Sequence, residues 1–263
     1  MKIFVINLER DIERKEYIIN HFQENGVGPI ELVTAVDGNN LSTQEIETYY
    51  SEQENKTKFY RSISRGEIGC ALSHLHCYKY LLNSKEDGAF IFEDDCRLNK
   101  YSKEIMRRLT NIQLSEKALV LLTYASHFYK KPKIQLNSIY TLYKTKKAFR
   151  SHGYYITRKA AENMLHELKQ IHKPFDQWRD YDQDNVIDLY NVAPFCVSKK
   201  RNLSEKSNLN HGRHQQQQHF TRHRLKPLEN FLKLFLGSKS FRHKIQGAVL
   251  GIHIQSKTEK HFE

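Results

Sequence analysis

Short apolar runs alternate along this chain with segments whose apolar residues recur at helical spacing. The apolar runs predict buried strands at 2–7, 31–36, 89–92, 118–123, 139–143 and 153–157. Helices are predicted at 11–25, after the last strand, and in two segments that begin with capping boxes, Ser42 with Glu45 and Ser64 with Glu67. This alternation favours an α/β fold with a mainly parallel sheet and helices on both faces.

Positive charge is concentrated toward the C-terminal end. The chain has 42 Lys and Arg against 30 Asp and Glu, and residues 199–263 hold 14 of the former but only 4 of the latter. We therefore predict a catalytic domain over 1–200 and a basic loop with an amphipathic helical tail over 201–263, with apolar faces at 225–236 and 241–252. Such a tail favours an anionic membrane surface as a partner, and packing of its apolar faces on the catalytic domain is the alternative. A nucleic-acid-binding protein is the alternative class, but those proteins more often carry basic groups across the folded domain.

The first apolar stretch is short. It ends after about six residues, which is too few for the core of a secretory signal, and no run of eighteen apolar residues follows it. We therefore expect a cytoplasmic protein. The four cysteines form no CxxC pair, so a zinc ribbon or a thioredoxin-type site is not predicted.

Three consecutive acids, Glu93-Asp94-Asp95, follow the predicted strand at 89–92. Ligands of open parallel sheets bind beyond the carboxyl ends of the strands. Adjacent carboxylates raise one another's pKa unless a cation neutralises them, and oxygen ligands favour Mn²⁺ or Mg²⁺. Such an ion usually bridges carboxylates and a diphosphate. A solvated acidic turn is the simpler interpretation, and the spacing alone does not decide between the two. A glycoside hydrolase would need two separated acids, so contiguous acids favour a transferase.

Six short blocks follow one another in order over residues 3 to about 176. They are Ile6-Asn7-Leu8 with Arg10 and Arg14, Ala35-Val36-Asp37-Gly38, Gly66-Glu67-Ile68-Gly69-Cys70-Ala71-Leu72-Ser73-His74, Phe92-Glu93-Asp94-Asp95, Gly153-Tyr154-Tyr155-Ile156-Thr157 with Lys159-Ala160-Ala161, and Lys173-Pro174-Phe175-Asp176. In this order the blocks resemble glycosyltransferase family 25, the lipooligosaccharide galactosyltransferases and their relatives. The block at 66–74 is the most distinctive, and residues after 199 lie outside the resemblance.

The resemblance implies a GT-A-type fold and inverting transfer of a hexose from a UDP-sugar to a growing lipooligosaccharide or lipopolysaccharide, a glycolipid acceptor. Galactose in a β linkage, with β-1,4 as a candidate, is expected, and a glucosyltransferase of the same family is the alternative. Mn²⁺ (or Mg²⁺) is the implied cofactor, with Glu93 and Asp95 as its ligands. Such an enzyme would lie peripherally on the inner face of the bacterial inner membrane.

The resemblance also assigns roles to individual residues. Donor binding is expected from Asn7, Leu8, Arg10, Arg14, Asp37, Gly38, Ser73, His74 and Asp94. Simpler interpretations stay open, since the arginines suit a solvated helix, Asp37-Gly38 suits a plain turn and a mid-helix His74 suits internal packing. The catalytic base is predicted to be Asp176, with Asp180, Asp182, Asp184 and Asp188 as alternatives. Trp178 either stacks on a sugar or packs in the core, and His211 either completes the metal shell or lies in a loop.

Overall fold

The computed structural model describes residues 1–58, 62–200 and the backbone of 252–254. Its strands are β1 (Lys2–Asn7), β2 (Glu31–Thr34), β3 (Gly88–Glu93), β4 (Cys96–Leu98), β5 (Ala118–Leu121), β6 (Ala125–Gln135), β7 (Thr141–Ala148), β8 (Gly153–Thr157), β9 (Asp188–Ala193), β10 (Val197–Lys199) and β11 (Ile252–Ile254). Its helices are α1 (Ile12–Glu24), α2 (Thr43–Tyr49), α3 (Glu52–Lys58), α4 (Arg65–Leu82), α5 (Ser102–Leu109), α6 (Arg158–Glu167) and α7 (Trp178–Gln183), with a 3₁₀ turn at Gly38–Asn40.

One nine-stranded sheet runs through the described residues in the order β11-β6-β7-β9-β5-β8-β3-β1-β2. Strand β1 pairs in parallel with both β2 and β3, and β5 pairs in parallel with β9. Strands β8 and β7 are each antiparallel to both of their neighbours, and the outer strand β11 is antiparallel to β6. Six of the nine strands therefore point the same way, and the predicted mainly parallel sheet is confirmed. Strands β4 and β10 form a separate antiparallel pair.

Helices cover both faces of this sheet, as predicted. On β1, Phe4 and Ile6 face the core that contains residues of α4, α6 and α7, whereas Ile3 and Val5 face the core under α1 and α5. The same alternation continues on β3. It follows from the period of two along a strand, so both faces of each central strand are buried. Each fully buried Ile or Phe contributes about 1.5–3 kcal/mol through burial.

Local signals placed several elements correctly. Both capping boxes are present, with the side chains of Ser42 and Ser64 accepting from the backbone of the third helical residue. Strands β1 and β8 have their predicted bounds. Strands β6 and β9 and helix α5 were not predicted, because polar and charged residues interrupt their apolar patterns. No helix of the described segments is long and apolar enough to cross a bilayer.

The C-terminal tail lies almost entirely outside the described residues. This includes the predicted helix at 225–236, most of the one at 241–252, and His211. Ile252, placed at the end of the second predicted helix, instead begins β11, which pairs antiparallel with β6.

Candidate active site

A cleft opens at the edge of the sheet where the neighbouring strands β3, β1 and β2 end. It encloses roughly 780 Å³, open solvent at its mouth included. Most of the predicted donor and metal residues line it, namely Leu8, Arg10, Arg14, Asp37, Gly38, Ser73, His74, Glu93, Asp94 and Asp95. Parallel strands bring segments that are distant in sequence to one edge, which is where ligands of such sheets bind.

Asp94 is held by two side chains from the start of the chain. Asn7 Nδ2 donates to Asp94 Oδ2 at 2.7 Å, and Arg14 Nη1 donates to Asp94 Oδ1 at 3.1 Å. Burial raises the pKa of Asp94 to about 6, although Asn7 and Arg14 act to lower it. Arg14 is therefore an ion-pair partner and not a solvated helix residue. Asn7 is a support for Asp94 and is not among the residues that line the cleft.

Asp37 and Arg10 form an ion pair at the mouth of the cleft. Asp37 also accepts from the backbone N–H of Asn39 at 3.2 Å, so it stabilises the 3₁₀ turn that follows β2. The Arg10 side chain is 46% exposed. A guanidinium in this position remains accessible to an anionic ligand.

The loop after β2 packs directly on α4. A Cβ added at Gly38 would collide with the carbonyl oxygen of Arg65, and one added at Gly69 would lie 2.5 Å from the carbonyl oxygen of Val36. Ser73 fixes the same contact, since its hydroxyl accepts from Val36 N at 2.8 Å and donates to Gly69 O at 2.7 Å. Gly69 and Ser73 of the 66–74 block therefore hold the loop after β2 against α4, and the Ser73 hydroxyl is engaged by backbone groups.

His74 lies fully buried between α4 and the sheet. Its Nδ1 is 2.8 Å from the hydroxyl of Tyr154, and its ring stacks on Phe175 with centroids 4.3 Å apart. Its Nε2 faces Glu93 Oε1 at 3.7 Å and has no hydrogen-bond partner among the described residues. Burial, the Tyr154 contact and the stacking on Phe175 therefore hold the His74 ring with its Nε2 facing Glu93.

Lys199 lies between the two predicted metal ligands. Its Nζ donates to Asp95 Oδ2 at 2.9 Å and to Glu93 Oε2 at 3.3 Å, and Ser151 Oγ donates to Glu93 Oε1 at 2.5 Å. Burial alone would raise the pKa of Glu93, but Lys199 and His74 hold it well below its usual value. Burial raises the pKa of Asp95 in spite of the nearby ammonium.

The chemistry of this corner fits a divalent cation. Asp95 Oδ1 is buried and has no hydrogen-bond partner in the described structure, so it is available as a ligand atom. Glu93 and Asp95 offer carboxylate oxygens, which suit Mn²⁺ or Mg²⁺. Ligand-type atoms of Cys70, His74 and Glu93 also lie within 4.8 Å of one another, a set with softer donors. Glu93 belongs to both arrangements.

The predicted base Asp176 lies outside the set of residues that line the cleft. Its Oδ2 accepts from the backbone N–H of Arg150 at 3.0 Å, and the preceding residue, Phe175, is the one that stacks on His74. Asp182 and Asp188 share Lys144, with Nζ to Oδ1 distances of 2.9 and 3.2 Å. Asp184 is 3.5 Å from Lys173, and nothing in the described contacts assigns Asp180 a role.

Trp178 belongs to the core. It is fully buried, and its Nε1 donates to the carbonyl of Arg150 at 2.8 Å. The packing interpretation of this residue is confirmed, and sugar stacking is excluded by its burial.

A family model described as "Glycosyltransferase family 25 (LPS biosynthesis protein)" matches residues 1–179. The chain belongs to glycosyltransferase family 25. Human "Procollagen galactosyltransferase 2" is 25% identical over 205 residues, which are 76% of this chain and 32% of that protein. A "Putative glycosyltransferase" of Haemophilus influenzae is 29% identical over 176 residues, 66% of this chain and 59% of that protein. The chain thus spans about a third of the length of the human family 25 relative.

Two solved structures align over most of the chain at low scores. A Drosophila β-1,4-galactosyltransferase 7 mutant in complex with manganese, UDP-Gal and xylobiose has a TM-score of 0.39 and 9% identity, covering 87% of this chain and 77% of that one. The galactosyltransferase LgtC with donor and acceptor sugar analogs has a TM-score of 0.36 and 10% identity, covering 73% of each chain. The α/β architecture expected of a GT-A-type family 25 member is established by the chain's own strand order and layers.

Sequence reasoning missed three side chains that shape this family 25 site. They are Lys199, Ser151 and the buried hydroxyl of Tyr154, all in contact with the acids or with His74. Lys199 was counted with the basic tail because charge rises from that residue onward. One sequence feature pointed to such a residue: three adjacent carboxylates are stabilised by a nearby cation.

Proposed function

We propose that this protein is an inverting glycosyltransferase that moves galactose from UDP-galactose to the saccharide of a lipooligosaccharide or lipopolysaccharide. The observation that carries the proposal is the convergence of Glu93, Asp94 and Asp95 with the predicted donor residues on one cleft. Membership of family 25 supports the reaction class, and the description of that family as LPS biosynthesis proteins supports the acceptor. The name of the human relative favours galactose over glucose.

Glu93 and Asp95 would hold Mn²⁺ (or Mg²⁺), with Asp95 Oδ1 as the oxygen that no group of the described residues satisfies. The bound cation would supply charge neutralisation to the departing UDP diphosphate. Asp94, fixed by Asn7 and Arg14, would accept hydrogen bonds from hydroxyls of the donor. Because these supports are preset, the carboxylates need little rearrangement when donor binds.

The nucleotide part of the donor would lie along the rest of the cleft. Leu8 and the loop at Asp37-Gly38 form its wall beyond the ends of β1 and β2. Arg10 would leave Asp37 and pair with a phosphate of the donor, because guanidinium groups bind phosphate through paired donors.

Inversion requires the acceptor hydroxyl to attack the sugar's C1 on the side opposite UDP, while a base removes the hydroxyl proton. We assign that base to Asp176. It follows Phe175, whose ring stacks on His74 at the cleft. Asp94 is the second candidate, because its raised pKa of about 6 makes it a stronger base than an ordinary aspartate. The product would carry a β linkage, with β-1,4 as the first linkage to examine.

A direct assay tests the proposal. Purified full-length protein is incubated with Mn²⁺, a panel of UDP-sugars and acceptors that end in glucose, galactose or N-acetylglucosamine. We expect transfer from UDP-galactose that EDTA abolishes and Mn²⁺ restores, with NMR showing a β-anomeric product. Transfer from UDP-glucose alone would support the glucosyltransferase alternative, and no transfer or UDP release with any donor would refute the proposal.

We also infer that the enzyme is cytoplasmic and docks on the anionic inner face of the bacterial inner membrane. The charge of residues 199–263 supports this, as does the exposure of Lys130, Lys131 and Lys133 on β6, the strand that β11 of the tail joins. Replacing Arg222, Arg224, Lys226 and Lys233 by glutamine should weaken sedimentation with anionic vesicles. The matched control replaces four exposed lysines of the catalytic domain, Lys15, Lys79, Lys85 and Lys103. Equal losses in both variants would count against a specific role for the tail.

A further inference from the structure

Lys199 is fixed beside the acidic group by backbone pairing. Strand β10, which ends at Lys199, is antiparallel to β4, and Lys199 lies opposite Cys96, the residue that follows the three acids. The next N–H, that of Lys200, donates to the carbonyl of Asp95 at 2.8 Å. The position of the Lys199 backbone is therefore set by the same segment that carries the carboxylates.

The ammonium of Lys199 occupies the place of a counter-ion. It reaches Asp95 at 2.9 Å and Glu93 at 3.3 Å, and these are the two residues that would hold the divalent cation. A lysine ammonium is protonated at neutral pH, so it brings a full positive charge to the two carboxylates. A divalent ion bound by the same two carboxylates would face this positive charge at short range. Like charges this close repel strongly where water is scarce.

We propose that Lys199 is an exchangeable counter-ion that neutralises Glu93 and Asp95 without metal and turns to the donor diphosphate when metal binds. This inference rests on the proposed function. The Lys199 side chain is 32% exposed and lines the cleft, so its flexible stem has open space on the side where the nucleotide would lie. An ammonium is a compact charge that suits phosphate oxygens. Metal and nucleotide binding are thereby coupled. The metal repels the Lys199 ammonium from the carboxylates, and the diphosphate attracts it away from them.

The test compares Lys199→Gln with the wild type and with Lys144→Gln. Lys144 is a matched control, since it also bridges two carboxylates, Asp182 and Asp188, at 2.9 and 3.2 Å, but those residues are not among the ones that line the cleft. Free Mn²⁺ is titrated by EPR on each full-length protein, with and without UDP, and folding is checked by thermal denaturation. For Lys199→Gln we expect Mn²⁺ alone to bind at least about tenfold tighter, as changes next to metal ligands commonly shift affinity by that amount.

The difference in Mn²⁺ affinity between Lys199→Gln and the wild type should disappear when UDP is present. UDP should raise the Mn²⁺ affinity of the wild type and of Lys144→Gln, but raise that of Lys199→Gln at least about tenfold less, because no ammonium is left to pair with the diphosphate. Lys199→Arg keeps the charge and should bind Mn²⁺ alone as weakly as the wild type. If Lys199→Gln fails to fold, two measurements still test the proposal. They are the Mn²⁺ affinity of Lys199→Arg and the change in wild-type Mn²⁺ affinity on adding UDP.

Four results would overturn the inference. The first is an unchanged Mn²⁺ affinity in folded Lys199→Gln, and the second is a wild type whose Mn²⁺ affinity does not change with UDP. Either result would show that Lys199 is not an exchangeable counter-ion, and neither would contradict the proposed function. A Lys199→Arg variant that binds Mn²⁺ alone at least about tenfold tighter than the wild type would show that charge is not the cause. Failure of the wild type to bind Mn²⁺ even with UDP would refute the metal of the proposed function together with this inference.

Discussion

Two lysines of this protein each bridge a pair of carboxylates with nearly the same geometry. In the cleft cluster, Lys199 lies 2.9 and 3.3 Å from Asp95 and Glu93. In the outer cluster, formed by Lys144, Asp182 and Asp188, the corresponding distances are 2.9 and 3.2 Å. Distances alone would therefore assign both clusters the same role.

The carboxylates differ in how fully the protein satisfies them. In the outer cluster Asp182 also accepts from Leu189 N at 2.9 Å, and Asp188 accepts from the Ser115 hydroxyl. In the cleft cluster the Asp95 side chain is only 4% exposed, yet its Oδ1 has no partner among the described residues. A buried unsatisfied oxygen beside a cleft indicates a ligand, whereas a saturated ion pair at the surface indicates support for the fold.

The largest expected difference between the clusters is in catalysis. Asp95→Asn removes a negative charge and a ligand oxygen from the proposed cation site, so transfer from UDP-galactose should fall by about 10³-fold or more. Asp182→Asn, the matched change in the outer cluster, should retain near wild-type rates. Initial rates at saturating donor and Mn²⁺ measure both. An active Asp95→Asn enzyme would remove the distinction between the two clusters.

A smaller loss is expected at the proposed base. Asp176→Asn should lower kcat by about 10²-fold while the affinity for UDP and Mn²⁺ stays the same, because the base acts only on the acceptor hydroxyl. Asp180→Asn, four residues later, is the control. UDP affinity measured by calorimetry separates a lost base from a distorted cleft. If Asp94→Asn keeps its UDP affinity but has a much lower kcat, and Asp176→Asn does not, then the base is Asp94 and not Asp176.

Local patterns predicted the layers and most of the cleft. Short apolar runs indicate the strands at 89–92 and 153–157, and the capping boxes at Ser42 and Ser64 indicate helix starts, because these signals act within a few residues. Lys199 and Ser151 could not be found this way. Each reaches Glu93 from more than 50 positions away, and no periodicity records which distant side chain a carboxylate will meet.

The pH dependence of stability offers a further comparison between the two clusters, beginning with Asp94 beside the cleft cluster. Burial raises the pKa of Asp94 from the ordinary aspartate value of 3.8 to about 6, so the folded state binds more protons than the unfolded state between these values. The stability from this group is complete below the lower value and is lost as pH rises through the higher one. Asp94→Asn should therefore gain up to about 3 kcal/mol relative to the wild type between pH 4 and pH 7.5, since each pKa unit corresponds to about 1.4 kcal/mol. Urea unfolding at both pH values measures this gain, and a relative stability that does not change with pH would contradict it.

The outer cluster should show the opposite sign and the smallest effect. Burial alone would raise the pKa of Asp188, but Ser115 and Lys144 lower it below its usual value, so its contribution to stability is present at neutral pH and lost as pH falls through the folded pKa. Asp188→Asn should therefore cost at most about 1 kcal/mol at pH 7, as is typical of ion pairs near the surface, and nothing once both states are protonated. Urea unfolding at pH 7 and pH 3 tests this. A loss at neutral pH that persists in acid would show that Asp188 acts through packing, and a parallel loss of transferase activity would mean that the outer cluster also serves the cleft.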